Sequence, residues 1–331
     1  MRVMIAAGNY PQLSETYIST EVDYFIRAGV QIAVHAPKCF TGKAHQQATV
    51  YRGSLRTALG EFKPDVLHSH YMHYTLERLQ GLVGVEIPIT VRAHSYDFSQ
   101  EDAAKLQAED RVRKIYAFPH FALELSRFSK VTPLPVAYNS EAYPGYMGKD
   151  KRLVLRLAAG KSTKGLDDFF SVAELCPEYT FVLGLADMGQ DVEFFQQLAA
   201  RKNRGGMVRM MRNVPWPEAR ALTALAGVYL DTSDPAGHRF GMPISIAESM
   251  ATGSFVLARS AVGLREYLNG SGSIYETPQQ AAGLLNRMLT WNDDQWQEKI
   301  SSALGSAAAY RDDVVLRRIH DDWELIVKAG W

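Results

Sequence analysis

Short apolar runs alternate with amphipathic stretches almost from one end of the chain to the other. Met1–Ala7 reads as a strand. Ser14–Ala28 follows with helical spacing of Tyr17, Ile18, Val22, Phe25 and Ile26, and Ser14 is placed to cap it. Gln31–Ala36, Val66–Ser69, Ile87–Ala93, Lys114–Phe118 and Lys130–Leu134 continue the strand series, with a helical stretch from Tyr74. The same grammar restarts at Arg152, with strands predicted at Leu153–Ala159, Thr180–Leu185, Met207–Met211, Val228–Asp231, Ser254–Ala258 and Ser273–Tyr275. Strands that return after helical crossovers imply parallel sheets covered on both faces. Pro133, Pro135 and Pro144, with Gly145 and Gly148, mark a boundary near 135–150. The stretch from Pro278 to about Lys328 reads as helix. The pattern therefore predicts an α/β chain of two Rossmann-like, doubly wound domains, 1–140 and 151–310. A C-terminal helical tail, 311–331, is expected to pack back toward the first domain.

Composition agrees and removes several classes of function. A length of 331 residues suits two domains, each with its own core, and 47% apolar with 22% charged residues is the balance of a soluble globular protein. Lys plus Arg equals Asp plus Glu at 36 each, so no basic excess points to nucleic acid or a strongly anionic membrane surface. The short basic run Lys202, Arg204, Arg209 and Arg212 suits a solvated helix end. Two distant cysteines, Cys39 and Cys176, lack metal-ligand spacing and fit a reducing compartment. The apolar run in MRVMIAAGNYP is too short for a secretory leader, and no stretch approaches the ~20 apolar residues of a membrane span. A cytoplasmic location is expected.

In open parallel sheets, ligands bind where loops and helix N-termini converge at the carboxyl ends of strands. The segment Phe240–Gly253, FGMPISIAESMATG, has that character. Gly241 allows close approach, Pro243 suits a helix start, and the N–H groups of Ile244 and Ser245 would face an anion. Glu248, a turn further on, could accept hydrogen bonds from a ribose. The same residues also suit a plain loop–helix unit with a solvent-facing glutamate.

This segment resembles the C-terminal motif of family 4 glycosyltransferases, retaining enzymes of the GT-B fold, in which two Rossmann-like domains face each other across a cleft. The match lies in Gly241, Met242, Pro243, Glu248, Met250, Ala251 and Gly253. The resemblance implies that Glu248 grips the donor's ribose and that the amides of Ile244 and Ser245 hold its diphosphate. The family's first motif glutamate, which touches the donor sugar, falls on Phe240; Asp234 or His238 is a candidate substitute.

Other segments extend the likeness. Tyr10–Glu21, YPQLSETYISTE, is similar to the first helix of bacterial exopolysaccharide and surface-glycan transferases, with Gly8 and Asn9 in the donor-approach loop before it. Those residues equally suit a turn and a helix cap. ITVRAHSYD, Ile89–Asp97, resembles the family's strand ending in a histidine, so His94 would face the transferred sugar. In LRLAAGKSTKGLDDFF the family's glycine-arginine and lysine-glycine pairs become Gly160–Lys161 and Lys164–Gly165, with Lys161 and Lys164 neutralising the diphosphate. Lysine acts there as a point charge without arginine's fork. Asn213–Val214 falls where the family holds the nucleobase through backbone atoms, and Gly263 and Glu266 resemble its final turn.

The resemblance implies a metal-independent, retaining hexosyltransferase with no cofactor. It would move sugar from a nucleotide-sugar to a glycan or lipid-linked acceptor, the latter bringing it to the inner membrane face. His68, His70 and His73 in HSHYMH could instead suggest a metal, but no carboxylate stands at ligand spacing nearby and the resembling family has a similar H-x-H at this strand end without metal, so no metal is expected. Rival readings are a nucleotide-sugar epimerase or phosphorylase of the same fold, and a degenerate nucleotide-sugar-binding protein. An oxidoreductase fits poorly, because no G-x-G-x-x-G follows either first strand.

Overall fold

The structure, a computed structural model, describes residues 1–331 except 40–44, 144, 147, 187–191, 204, 235–240 and 331, and except the side chains of Tyr96, Ser162 and Val192. Its elements run β1 (Arg2–Ala6), α1 (Thr16–Arg27), β2 (Gln31–His35), β3 (Thr49–Tyr51), α2 (Leu55–Phe62), β4 (Val66–His70), α3 (Met72–Gln80), β5 (Ile89–Arg92), α4 (Gln100–Ala108), β6 (Val112–Ala117), α5 (Pro119–Glu124) and β7 (Val131–Pro133). The second series is β8 (Asp150–Ala159), α6 (Leu166–Leu175), β9 (Thr180–Ala186), α7 (Val192–Lys202), β10 (Val208–Arg212), α8 (Trp216–Leu225), β11 (Ala226–Asp231), α9 (Ile244–Ala251), β12 (Phe255–Arg259), α10 (Leu264–Leu268) and β13 (Gly272–Tyr275). Three helices close the chain: α11 (Pro278–Met288), α12 (Asp293–Ala307) and α13 (Asp312–Lys328).

Two units emerge, Met1–Ala137 with Asp312–Trp331, and Tyr138–Arg311. The first holds a seven-stranded sheet ordered β3-β2-β1-β4-β5-β6-β7, the second a six-stranded sheet ordered β10-β9-β8-β11-β12-β13. Every named strand pair is parallel, as crossover helices require. Both orders reverse beside the first strand of the unit, at β1/β4 and at β8/β11, the doubly wound pattern.

Helix α13 belongs to the first unit because its apolar residues form one stripe. Val315, Leu316, Ile319 and Trp323 are buried and join Ile18, Val22 and Phe25 of α1 in one core, the rings of Phe25 and Trp323 lying 4.3 Å apart. Arg27 pairs with the buried Asp312 at the helix start. The core of the second unit gathers Val154, Phe169, Phe170, Phe181, Leu183, Val228, Leu230 and Leu257.

Several local expectations need correction. Ser14 does not cap α1: Glu15 occupies that place, and the Ser14 hydroxyl accepts from Gln12 Nε2 at 3.1 Å. The short β3 was not expected, since three residues carry too little periodicity to read. The long C-terminal helix is broken in two places. One break is a capping box, in which Asn292 Oδ1 accepts from Gln295 N at 2.9 Å and Gln295 Oε1 from Asn292 N at 3.0 Å. The other is a 3-10 turn, Ala308–Tyr310, before α13. The basic run is split, with Lys202 ending α7, Arg209 and Arg212 on β10, and Arg204 outside the described residues. Pro144 of the boundary segment also lies outside them. Among the described residues no helix is long and apolar enough to cross a membrane.

Candidate functional site

In the second unit, the predicted residues gather at the carboxyl ends of β8 and β11, the switch point of its sheet. Gly160 and Lys161 follow β8, a 3-10 turn at Ser162–Lys164 comes next, and Gly165 opens α6. Lys161 is exposed and Lys164 half-buried. The Thr232 hydroxyl donates to Lys164 O at 3.0 Å, tying this loop to the end of β11. Gly165 has φ +57°, and a Cβ there would lie 1.9 Å from Thr232 O, so the loop can approach β11 only with glycine. Burial, with the Arg156 and Lys161 cations against the opposing pull of Asp231, lowers the Lys164 amine to about 8. At that value the amine stays largely protonated at neutral pH, and an arriving anion would hold its charge more firmly.

Beneath Lys164 lies a fully buried network absent from the sequence reading. Arg156 of β8 donates to Asp231 Oδ2, to Tyr229 Oη at 3.1 Å and to Ser233 Oγ at 2.9 Å. Asp231 Oδ1 accepts from Ser233 N at 2.8 Å, and Asp231 O from Tyr275 Oη at 2.9 Å. Tyr229 Oη lies 2.6 Å from Ser245 Oγ, joining the network to the first turn of α9. Burial opposes the Asp231 charge, but Arg156 and the bonds from Ser233 outweigh it and hold the carboxyl below its usual range. The sequence did carry a signal. One arginine inside the apolar run LVLRLAA must find a buried acid.

Helix α9 begins after Gly241, Met242 and Pro243, with Pro243 at the cap and its carbonyl accepting from Tyr267 Oη at 2.8 Å. Met242 adopts φ +46°, a strained conformation for a side chain with a Cβ, directly before the helix. Ile244 and Ser245 are the first helical residues, whose N–H groups have no acceptor within the helix. Glu248 is buried, not solvent-facing as the plain loop–helix alternative had it. Burial raises its carboxyl to about 7, against the opposing pull of a hydrogen bond from Tyr143 and the charge of Arg220. Neither partner was picked out from sequence. Val214 follows β10 and is buried, beside Asn213 at φ +51°. Gly263 caps α10 at φ +84°, a structural turn carrying Glu266. Asp234 donates its N–H to Thr163 O at 3.1 Å, whereas His238 and Phe240 lie outside the described residues.

In the first unit the predicted residues stand at the ends of β1, β4 and β5. Gly8 and Asn9 follow β1, and a Cβ on Gly8 would stand 3.8 Å from the ring of Tyr74. His94 lies just beyond β5, but its ring nitrogens turn inward. Nε2 lies 3.1 Å from His70 Nδ1, and the other faces the backbone N–H of Asp97 in a capping box, while the Asp97 carboxylate accepts from His94 N at 2.7 Å. Burial, with His70 and Arg92 nearby, depresses the His94 imidazole well below the usual histidine range, so it is neutral. Tyr17 and Tyr71 pack on it, with ring centroids at 4.7 and 4.4 Å. Tyr71 has φ +71°, held by donation of its N–H to Arg92 O at 2.8 Å. Sequence spacing had set His68, His70 and His73 apart from any carboxylate. The structure instead brings Glu21 of α1 within 3.4 Å of His68 Nε2 and 3.1 Å of His70 Nε2, and puts His73 on α3. A carboxylate forty-seven residues from His68 in the chain is a tertiary neighbour that local spacing does not reveal.

Comparison with protein-family models and with curated protein sequences finds no match. Solved structures match over nearly the whole chain. Sucrose-phosphate synthase from Thermosynechococcus elongatus superposes with a TM-score of 0.80 at 13% identity, covering 99% of this chain and 100% of that one. HepE of Anabaena, solved in complex with UDP-glucose, gives 0.74 at 14% identity, covering 98% and 99%. WaaG, a glycosyltransferase involved in lipopolysaccharide biosynthesis, gives 0.68 at 13%, covering 95% and 96%. With its two parallel sheets of seven and six strands, flanked by helices, the chain has the GT-B fold of these glycosyltransferases.

Proposed function

We propose that this chain is a glycosyltransferase that takes a sugar from a nucleoside-diphosphate sugar. The observation that carries the reading is the start of α9 beside the Lys164 loop at the β8/β11 switch point. The free amides of that helix start and the half-buried Lys164 both follow the carboxyl ends of neighbouring strands, where an anion would sit. Departure of a nucleoside diphosphate builds negative charge on phosphate oxygens, and pre-aimed dipoles and cations stabilise it without reorganising. Ile244 and Ser245 amides, Lys164 and Lys161 supply that stabilisation. Gly241 and Met242 shape the approach, Glu248 accepts the ribose hydroxyls, and Val214 borders the base. HepE, of the same fold, has been solved with UDP-glucose, which supports a donor of this chemical class.

The family resemblance extends the proposal to a retaining hexosyl transfer without metal or other cofactor. The acceptor would be a glycan or a lipid-linked glycan at the cytoplasmic membrane face, in surface-glycan assembly. Gly8, Asn9 and His94 of the first unit serve the sugar and acceptor, with His94 acting as a neutral, fixed ring instead of a nucleophile.

The test is a thermal-shift screen with UDP-, GDP-, ADP- and TDP-sugars, followed by turnover with candidate acceptors. A ligand that binds only the native state raises its melting temperature. Wild type should respond to one nucleotide, and Lys164→Ala and Glu248→Ala should each weaken that response. Donor binding without turnover would favour the degenerate binding protein, and sugar conversion without acceptor would favour an epimerase. No response to any nucleotide would refute the proposal.

A further inference from the structure

The anion-facing groups of the second unit come from two segments far apart in sequence, the Lys164 loop after β8 and the start of α9, and both are tied to β11. Thr232, just beyond β11, donates its hydroxyl to Lys164 O at 3.0 Å, and Asp234 donates its N–H to Thr163 O at 3.1 Å. On the other side Tyr229, within β11, reaches Ser245 in the first turn of α9. The Tyr229 side chain is fully buried. Its hydroxyl oxygen lies 3.1 Å from Arg156 Nη1, 2.9 Å from Leu157 O and 2.6 Å from Ser245 Oγ.

The protons at this junction have one consistent arrangement. A guanidinium only donates and a carbonyl only accepts, so Tyr229 Oη accepts from Arg156 and gives its single proton to Leu157 O. Were that proton directed at Ser245, Leu157 O would face the phenol oxygen at 2.9 Å with no hydrogen between them. Ser245 Oγ therefore donates to Tyr229 Oη. Its proton is then unavailable to a ligand, and the donor that Ser245 offers an anion is its backbone N–H. Arg156 is itself fixed by Asp231 Oδ2 and Ser233 Oγ, so the far side of the junction is anchored as well.

We infer that Tyr229 is a positioning residue for the donor's diphosphate: by accepting the Ser245 hydroxyl proton it clamps the first turn of α9 to the strand whose end also holds the Lys164 loop. The clamp fixes where the amides of Ile244 and Ser245 stand relative to that loop. Donors held in place stabilise developing charge because they need not move when it appears. The role toward a ligand rests on the proposed glycosyl transfer, whereas the clamp itself does not, so the two can fail separately.

Tyr229→Phe removes Oη and keeps the buried ring, Ser245→Ala removes the donor, and the double variant removes both. Without ligand, hydrogen exchange in a peptide covering residues 241–249 should be several-fold faster in each single variant and no faster in the double. Isothermal titration is then run with inorganic pyrophosphate and with UDP, GDP, ADP and TDP. Each single variant should bind about three- to tenfold more weakly than wild type, and the double no more weakly than either single. Loss of packing alone would not make the two substitutions non-additive. In turnover the loss should fall on kcat and donor KM, with acceptor KM unchanged. Wild-type exchange and affinity in a folded Tyr229→Phe variant would overturn the inference, as would losses that multiply in the double variant. So would weaker binding by Ser245→Ala alone, which would put the serine hydroxyl on the phosphate. If wild type binds none of these ligands, the proposed function fails while the exchange rates still decide whether Tyr229 holds α9.

Discussion

Replacing Glu248 by Gln separates what this residue costs the fold from what it does for a ligand. Its carboxyl is raised to about 7 by burial, from a usual 4.5. Folding therefore holds a proton that the unfolded chain releases above about pH 4.5. The stabilisation is complete below that pH and is lost as pH rises through about 7. At about 1.4 kcal/mol per pH unit, the loss approaches about 3 kcal/mol above pH 7. Glutamine has no proton to lose. Melting temperatures of wild type and Glu248→Gln, each at pH 5 and pH 8 without ligand, give the answer as a difference of differences. That comparison cancels whatever the amide loses in contacts with Tyr143 and Arg220. In a unit of this size each kcal/mol moves the melting temperature by roughly 2–4 °C. About 2.5 kcal/mol of that loss falls between pH 5 and pH 8, so the variant should gain about 5–10 °C on wild type across that range. Its nucleotide-induced shift should fall at the same time, since the carboxylate proposed to hold the ribose has been removed. Parallel pH profiles for the two proteins would refute the argument that the carboxyl is buried at a cost.

Three further predictions test the second unit. Gly165→Ala should lower the melting temperature and abolish nucleotide binding, because its Cβ would collide with Thr232 O at 1.9 Å; normal binding would show that the loop can retreat. Arg156→Leu strands Asp231 without its cation and should cost about 3–5 kcal/mol by urea denaturation at neutral pH. Protonating Asp231 below its native range should narrow the gap. Lys164→Ala removes the charge proposed to face the diphosphate and should reduce turnover about 100-fold. It should leave thermal stability nearly unchanged or raise it slightly, since a half-buried ammonium held at about 8 contributes little to the fold.

The alternation of apolar runs with amphipathic helices was enough to read two parallel, doubly wound sheets, because each strand buried on both faces must be apolar throughout. Glycine and proline ahead of α9 were equally legible, since backbone requirements at a helix start depend on adjacent residues. The resemblance carried by Gly241–Gly253 pointed to Glu248 but left open whether that side chain faced water. Only folding places it against Tyr143 and Arg220, residues more than twenty positions away. The same holds for Glu21 against His68 and His70, and for Arg156 against Asp231. Local chemistry along the chain determines which segments become strands, helices and the turns between them. Partners of a buried charge are chosen by the crossing of distant segments, and no periodicity in the sequence records that crossing.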